Sequence, residues 1–182
     1  MKFIGFKPLL LAIAVSALCA NPINAESPLP LVSPPQEVAQ TETAFDEKQI
    51  LALMDQIKQA EKAEDVETLM SFLAPFVVSE VTVQTGNQSI TRTIEGLSAH
   101  RAMLKASYDQ REANEVLNEN INVRFDDDGH IAVVTRYNLE TTELSDNRKL
   151  VSMAKDVIRF ALVNGQPKVI SVMVDGWSEE RP

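Results

Sequence analysis

Apolar residues recur at helical spacing in the first regularly patterned part of the chain. Residues 45–63 carry one apolar side, whose members are Ile50, Leu53, Met54 and Ile57. This spacing predicts an amphipathic helix. A second, shorter helix follows, because Asp65 is a favourable N-cap and Pro75 ends the helical pattern. A third helix is predicted over residues 97–108. Its inner side is predicted to hold Leu97, His100, Leu104 and Tyr108.

Alternation with a period of two marks the rest of the chain and predicts strands. Residues 76–94 read as a hairpin that turns at Gly86 and Asn87. Four longer alternating stretches follow, joined by short turns: residues 114–125, 131–140, 150–162 and 168–177. Helices followed by long antiparallel strands are typical of the α+β class. The helices must then cover the apolar face of the sheet.

The alternation also predicts which side chains point inward from two of these strands. In the first, the inner face is predicted to be Leu117, Glu119, Ile121, Val123 and Phe125. In the second, it is predicted to be Ile131, Val133, Thr135, Tyr137 and Leu139. Both predictions rest on the assumption that the more apolar face of a strand packs against the core.

Asp156 is the one acid on the fifth predicted strand, and it shares a face with Ile158 and Phe160. An ionised carboxylate buried there costs several kcal/mol unless it is paired. Three arrangements satisfy it: an ion pair with Arg101 or Arg136, a protonated acid, or water in an open pocket. We predict that Asp156 is the main polar anchor of the interior, as a proton donor or a ligand contact.

Other side chains complete the predicted site. Glu119 either faces the same interior as Asp156 or is turned to solvent by a bulge. His100 either forms an acid/base dyad with Asp156 or makes a hydrogen bond to a neighbour within the protein. The predicted catalytic pair is therefore Asp156 and His100. The predicted ligand-binding set is Asp156, Glu119, Tyr137, Thr135, Phe160 and Trp177.

The start of the chain has the parts of a secretory signal peptide. Lys2 and Lys7 precede an apolar segment, residues 8–20, that is too short to span a bilayer. Ala25 is a small residue suited to cleavage. We therefore predict export to the periplasm or the medium, with cleavage after Ala25. The alternatives are an uncleaved anchor and a lipoprotein attached through Cys19.

Composition narrows the chemistry of the mature chain. Cys19 is the only cysteine, so its removal excludes disulfides, thiolate metal sites and a cysteine nucleophile. The formal charge is −9, and loss of the two lysines of the export signal makes it −11. Such an acidic chain is not expected to bind nucleic acid or anionic lipid. Two isolated histidines do not make a zinc site, and we predict no metal and no cofactor.

The organisation along the chain follows from these segments. Residues 1–25 are the predicted signal peptide. Residues 26–43 include Pro28, Pro30, Pro34 and Pro35 and are predicted to form an extended, mostly disordered leader. Residues 44–180 are predicted to form one folded domain.

Three segments carry a resemblance to a known family. They are LMSFLAPFVV (residues 69–78), TIEGLSAHRAML (residues 93–104), and AKDVIRF together with NGQPKVISVMVDGW (residues 154–160 and 164–177). Their order and spacing resemble the NTF2-like superfamily, in its SnoaL-like and ketosteroid-isomerase-like branch. The resemblance implies a curved antiparallel sheet wrapped around the helices as a cone-shaped α+β barrel with an apolar pocket, and often a dimer.

The resemblance also implies which residues correspond to the isomerase's catalytic groups. Asp156, in DVIRF, matches the strand acid that acts as a protonated hydrogen-bond donor in that branch. Val81 falls near the position of the general base, with Glu80 beside it. The first helix, where the branch has a tyrosine donor, contains no tyrosine. One of the three catalytic positions therefore matches.

These observations leave three functional hypotheses. The first is an exported, non-catalytic domain that binds a small apolar molecule or a partner protein. The second is an isomerase- or dehydratase-type enzyme that uses Asp156 with His100 or Glu119. The third is a structural dimer module whose cone is filled by its own side chains. A homodimer is predicted through the outer sheet face, where the apolar residues are Val151, Met153, Val157 and Val134, mixed with Lys155, Arg159 and Arg136.

Overall fold

The computed structural model describes residues 44–181, and its helices lie where the periodicity predicts them. The helices are α1 (Glu47–Lys62), α2 (Val66–Phe72) and α3 (Gly96–Tyr108). The Asp46 carboxylate caps α1 by accepting a hydrogen bond from the Gln49 backbone N–H at 2.7 Å. Asp65 caps α2 in the same way, accepting from the Thr68 backbone N–H at 3.0 Å. The predicted signal peptide and leader lie outside the described residues.

Six strands form one curved sheet. They are β1 (Leu73–Thr85), β2 (Gln88–Glu95), β3 (Arg111–Phe125), β4 (Ile131–Leu144), β5 (Lys149–Val163) and β6 (Gln166–Arg181). Their order across the sheet is β2-β1-β6-β5-β4-β3. The predicted α+β class is confirmed. Two details differ from the prediction, because β1 and β6 are parallel and the sheet is not closed into a barrel.

The parallel pair follows from the route of the chain. β1 and β2 form the predicted hairpin, which turns at Gly86 with a φ of +58°. α3 then carries the chain to the far edge of the sheet, where β3 begins. β3 to β6 form an antiparallel meander that returns toward the first hairpin. This return places β6 beside β1, in the same direction and in the interior of the sheet.

The inner face of the sheet packs against the helices and divides into two bands. The apolar band has one row formed by Val123, Val134, Ile158 and Val172 and another formed by Phe125, Ala132, Phe160 and Val169. The buried side of α1 belongs to the same core cluster, through Ile50, Met54, Ile57 and Ala60. Farther along β4 and β5 the inner face becomes polar. We call Arg136, Asn138, Glu140, Ser152 and Asp156 the polar band.

The predicted inner face of β4 is wrong. Val134 is fully buried, whereas Tyr137 is 51% exposed. In the antiparallel register, Arg136 lies opposite Asp156 and Tyr137 lies opposite Lys155. Residues directly opposite in such a pair share a face, so Tyr137 points away from Asp156, and so does Thr135, two residues earlier. Both faces of β4 carry apolar residues, so alternation alone does not identify the inner one.

Two further face assignments change for the same reason. Trp177 of β6 lies opposite Met153, which places it on the outer face and away from Asp156. Val134 and Arg136, predicted on the outer face, belong to the inner one. Three members of the predicted ligand-binding set, Tyr137, Thr135 and Trp177, therefore lie on the opposite face of the sheet from Asp156.

Candidate functional site

The carboxylate of Asp156 is held by an arginine. Asp156 is 4% exposed, and its Oδ2 accepts a hydrogen bond from Arg136 Nε at 2.7 Å. Arg136 Nη1 also donates to Glu61 Oε2 on α1, at 3.1 Å. Arg101, the other predicted partner, is bound instead to Glu67. The charge on the inner face of β5 is thus satisfied by the neighbouring strand and linked to α1.

Burial and charge act in opposite directions on this pair. Burial would lower the pKa of Arg136, but the carboxylates of Glu61 and Asp156 outweigh it and raise that pKa above its usual value. Burial raises the pKa of the Asp156 carboxyl, and Arg136 opposes this rise without cancelling it. The guanidinium therefore stays positively charged, and the Asp156 carboxylate forms its ion pair with it.

Glu119 also faces the interior. It forms an ion pair with Lys58 of α1, and its side chain is less exposed than that of its partner. The strand does contain a bulge, between Val116 and Asn118, but this bulge leaves Leu117 exposed and keeps Glu119 pointing inward. Lys58 and Glu61 are three residues apart on α1, so two ion pairs attach this helix to the sheet.

His100 is buried in a separate hydrogen-bond network. Its Nδ1 is 2.7 Å from the Gly96 carbonyl oxygen, and its Nε2 is 2.7 Å from Ser79 Oγ. A carbonyl only accepts, so Nδ1 carries the proton and Nε2 accepts from the Ser79 hydroxyl. Burial lowers the pKa of His100, which favours this neutral form. Both ring nitrogens are thus engaged away from Asp156, and the two predicted catalytic residues are not joined.

The far end of the polar band contains an incompletely satisfied network. Glu140 accepts from Asn138 Nδ2 at 2.7 Å and from Asn114 Nδ2 at 3.2 Å. Thr142 Oγ1 donates to Asn114 Oδ1 at 2.9 Å. The Asn138 amide donates to Glu140 through Nδ2, and its Oδ1 is buried without a hydrogen-bond partner. Ser152 Oγ, on the residue opposite Glu140, is also buried and unpartnered.

This end of the band lies beside an edge strand. Val116 lies opposite Glu140 in the sheet register, and it is 52% exposed. Asn114, which is exposed, is next to it on the inner face. The pKa of the Glu140 carboxyl is raised, because burial raises it by more than the hydrogen bond from Asn114 lowers it. The local arrangement thus combines buried acceptors with one exposed apolar side chain.

Two surface grooves lie elsewhere on the described part of the chain. One, of about 540 Å³, lies along α1 at Leu51 and Asp55. The other, of about 310 Å³, lies between α1 and α2 at Gln59 and Thr68. Neither groove is lined by a residue of the predicted site. Within residues 44–181 there is also no cluster of side chains suited to hold a metal ion and no helix long and apolar enough to cross a membrane.

Sequence reasoning did not identify Asn138, Glu140 and Ser152 as candidate site residues. Asn138 and Glu140 alternate with Arg136 along β4, so choosing Arg136 as the partner of Asp156 would have placed all three on the inner face. Ser152 lies on the same predicted face as Asp156, two alternations away. Strand alternation therefore groups these residues with Arg136 and Asp156, but only the register between β4 and β5 shows that both groups lie on the inner face.

Solved structures share this arrangement of helices and strands. One is a hexachlorocyclohexane dehydrochlorinase from Novosphingobium barchaimii, with a TM-score of 0.55 and 10% identity over 75% of this chain and 94% of that one. Another, a proposed dehydratase of the NTF2-like family from Streptomyces avermitilis, has a TM-score of 0.55 and 15% identity over 71% and 93%. A protein of unknown function with a cystatin-like fold from Nostoc punctiforme has a TM-score of 0.52 and 16% identity over 75% and 93%.

These similarities concern the fold. No protein-family model and no curated protein matches the sequence. At identities this low, the solved structures show that the chain has the NTF2-like architecture of helices packed on a curved sheet. This architecture accommodates both ligand-binding and enzymatic domains, so the function must be argued from the side chains of this chain.

Proposed function

We propose that this chain, which has an NTF2-like fold, is an exported domain that binds a small molecule at the polar band and does not catalyse its conversion. The observation that carries the proposal is the pair of buried, unpartnered atoms, Asn138 Oδ1 and Ser152 Oγ. Buried polar atoms in native proteins are nearly always hydrogen-bonded, and a bound ligand is one way to satisfy them. Leaving such an atom unpaired costs about 1–3 kcal/mol.

The chemistry of these atoms describes the ligand. Asn138 Oδ1 and the Glu140 carboxylate accept hydrogen bonds, and the Ser152 hydroxyl both donates and accepts. A fitting ligand therefore carries at least one O–H or N–H donor. The exposed side chain of Val116 lies beside Glu140 and suits an apolar ligand body. We expect the ligand to approach from the β3 edge, where Asn114 is exposed and would release its hydrogen bonds to Glu140 and Thr142.

The absence of catalysis is supported by the state of the candidate acid and base groups. Asp156 is paired with Arg136, and Glu119 is paired with Lys58. His100 is neutral and bonded through both ring nitrogens. A general acid or base must reach the reacting atom with a free proton or lone pair. None of these three groups makes a hydrogen bond to Asn138 Oδ1 or Ser152 Oγ, and the Glu140 carboxylate beside those atoms already accepts from Asn138 and Asn114.

Native mass spectrometry of protein purified from a bacterial periplasm tests ligand binding. We expect the wild type to retain a small molecule and Asn138→Ala to lose it, because removing one hydrogen bond of about 1.4 kcal/mol weakens binding about tenfold. Asn122→Ala is the matched control, since Asn122 lies opposite Thr135 on the outer face. Thermal melts establish that both variants fold.

Two outcomes would contradict the proposal. Equal retention by Asn138→Ala and Asn122→Ala, or no retained molecule in the wild type, would rule out this binding site. Recovery of the molecule in two forms that differ by the elements of water would contradict the absence of catalysis and support a dehydratase-type enzyme.

Export is a separate part of the proposal and rests on the amino-terminal sequence pattern. The predicted product begins at Glu26, after cleavage behind Ala25. Intact-mass measurement of the exported protein should give this chain. A protein that retains Met1, or one that carries a lipid on Cys19, would contradict the predicted processing.

A further inference from the structure

β3 forms one edge of the sheet, and a long part of that edge is regular. Within residues 44–181 no strand pairs with the side of β3 that faces away from β4. The bulge lies between Val116 and Asn118, and from Asn118 to Phe125 the pairing with β4 is continuous and contains no proline. Such an edge offers free N–H and C=O groups to a further strand, and native proteins usually cover or interrupt it. We call residues 118–125 the open edge.

The backbone groups of the open edge that point away from the sheet can be identified. The Asp126 N–H donates to the Ile131 carbonyl oxygen at 3.0 Å, so the backbone at this position is directed toward β4. Backbone groups in an antiparallel pair point alternately toward and away from the partner strand. The outward groups of the open edge therefore belong to Glu119, Ile121, Val123 and Phe125.

The chain enters the domain at one end of the open edge. The Phe45 N–H donates to the Gly129 carbonyl oxygen at 2.9 Å, and a Cβ added at Gly129 would lie 3.0 Å from the Ala44 Cβ. Gly129 is folded back toward β3, because its N–H donates to the Asp126 carbonyl oxygen at 3.1 Å. The chain that precedes Ala44 therefore joins the domain next to the carboxyl end of β3.

We infer that residues 36–43 of the leader add to the open edge as one further strand, parallel to β3. This segment, QEVAQTET, follows the last proline of the leader, Pro35, and three of its residues are β-branched. Its eight residues equal the eight of the open edge, so Pro35 reaches the bulge, where regular pairing ends. The direction is parallel because the segment and β3 both run toward the Gly129 turn.

One ion pair fixes the register of this strand. Arg124 is exposed on the outer face, opposite Val133, and it forms no ion pair with another residue of the described range. When Thr43 lies beside Phe125, Glu42 lies beside Arg124 on the same face. Opposite charges on adjacent strands attract each other. The segment thus supplies the carboxylate that the open edge lacks at this position.

The leader is the occupant that the connection to the domain favours. Its attachment gives it a high effective concentration at the open edge, which a second copy or another protein does not have. The same register places Glu37 beside Glu119, whose partner Lys58 has a side chain that is 39% exposed and can approach both carboxylates. The open edge and Asn114 lie on opposite sides of the bulge, so the inference does not depend on ligand binding at the polar band.

Amide hydrogen exchange, measured by NMR on the purified chain with its leader, tests the inference. In the wild type, the outward N–H groups of Ile121 and Val123 should exchange about tenfold more slowly than in the double variant Val38→Pro with Thr41→Pro. The two leader positions are separated by an odd number, so one of the prolines removes an N–H that is directed at β3.

The chain offers two controls for this measurement. Ser27→Pro with Val32→Pro adds two prolines to the part of the leader that already contains them, and it should leave the outward amides slow. The amides of Asn120 and Asn122 alternate with the outward ones and face β4. They should stay slow in every variant, which establishes that the sheet is folded.

Charge exchange tests the register. Arg124→Glu should speed the exchange of the Val123 amide roughly threefold, because it places two acids side by side, and adding Glu42→Lys should restore the wild-type rate. A double variant that exchanges as fast as Arg124→Glu would overturn this register. Fast exchange of Ile121 and Val123 in the wild type, or equal rates in the wild type and in Val38→Pro with Thr41→Pro, would overturn the inference. Protection that increases with protein concentration would identify a second copy as the occupant and would overturn it as well.

Discussion

Replacing Arg136 with Met should lower the free energy of unfolding by about 3–5 kcal/mol, because it leaves the buried Asp156 carboxylate without its cation. Burial already raises the pKa of Asp156 when Arg136 is present. Without the guanidinium, burial and the nearby carboxylates of Glu61 and Glu119 all raise that pKa, and nothing opposes them. Asp156→Asn should also destabilise, toward the lower end of this range, because Arg136 keeps its second partner, Glu61. Urea unfolding at neutral pH measures both changes.

The chain contains a closely matched control for this ion pair. Arg148 donates from Nε to Asp146 Oδ2 at 2.7 Å and approaches a second carboxylate, Glu180, at 3.6 Å. Its atoms and primary distance equal those of the Arg136 pair, but it is more exposed. Arg148→Met should therefore cost about 0–1 kcal/mol. Equal losses for Arg148→Met and Arg136→Met would contradict the assigned role of burial.

The pH dependence of the Arg136→Met variant has a defined sign. A carboxyl whose pKa is raised in the folded state binds protons more tightly there than in the unfolded chain. The destabilisation is then absent below the unfolded pKa of about 3.9 and develops as pH rises through the folded pKa. The decrease in the free energy of unfolding caused by Arg136→Met should accordingly become smaller toward acid pH. The double variant Arg136→Met with Asp156→Asn should lose less than the two single variants added together.

Phe160→Ala should lower the free energy of unfolding by about 3–5 kcal/mol, since it removes a large side chain from a close-packed region and leaves a cavity. Phe160 is 1% exposed and lies in the apolar band. Phe76→Ala is the matched control, because Phe76 is 61% exposed and its truncation should change stability by no more than about 0.5 kcal/mol.

This comparison separates the filled core from a binding cavity. Phe160 was predicted to contact a ligand, yet in the structure it is surrounded by the core cluster. If Phe160→Ala and Phe76→Ala destabilise the protein equally, Phe160 is not the packing residue that the apolar band indicates. Chemical denaturation of the two variants and the wild type under the same conditions measures this difference.

Local signals in the sequence predicted the parts of the fold that depend on neighbouring residues. Asp65, the predicted N-cap, satisfies a backbone N–H group within one helical turn of itself. Gly86 provides the positive φ of the hairpin turn. Each of these features is specified over a few residues, so a single chain segment contains the information that predicts it.

The inner face of β4 depends on information that is not local. Ile131 and Val133 on one face and Ala132 and Val134 on the other are all apolar, so the hydrophobic pattern permits either orientation. Packing against β5 decides between them by placing Arg136 opposite Asp156. That contact unites residues 20 positions apart through the hairpin register.

The candidate site shows the same limit in another form. The sequence permits a bulge in β3 that would turn Glu119 to solvent. A bulge is present, but the residue that it leaves exposed is Leu117. The exact position of the bulge thus decides whether the Glu119 carboxylate pairs with Lys58 or faces solvent. Asn138 Oδ1 and Ser152 Oγ have no hydrogen-bond partner although Asn138 Nδ2 donates to Glu140, and this is a property of the assembled network rather than of any one segment.

The pairing of β1 with β6 has a consequence for how the chain folds. A hydrogen bond between Thr85 and Ser178, 93 positions apart, lies along this junction of the first and last strands. β1 and β6 can therefore pair only after the last strand has been made, and such distant contacts slow folding because loop closure precedes the gain from pairing. During synthesis from the amino terminus, β1 can pair with β2 in the first hairpin, but its other edge stays unpaired until β6 has been made.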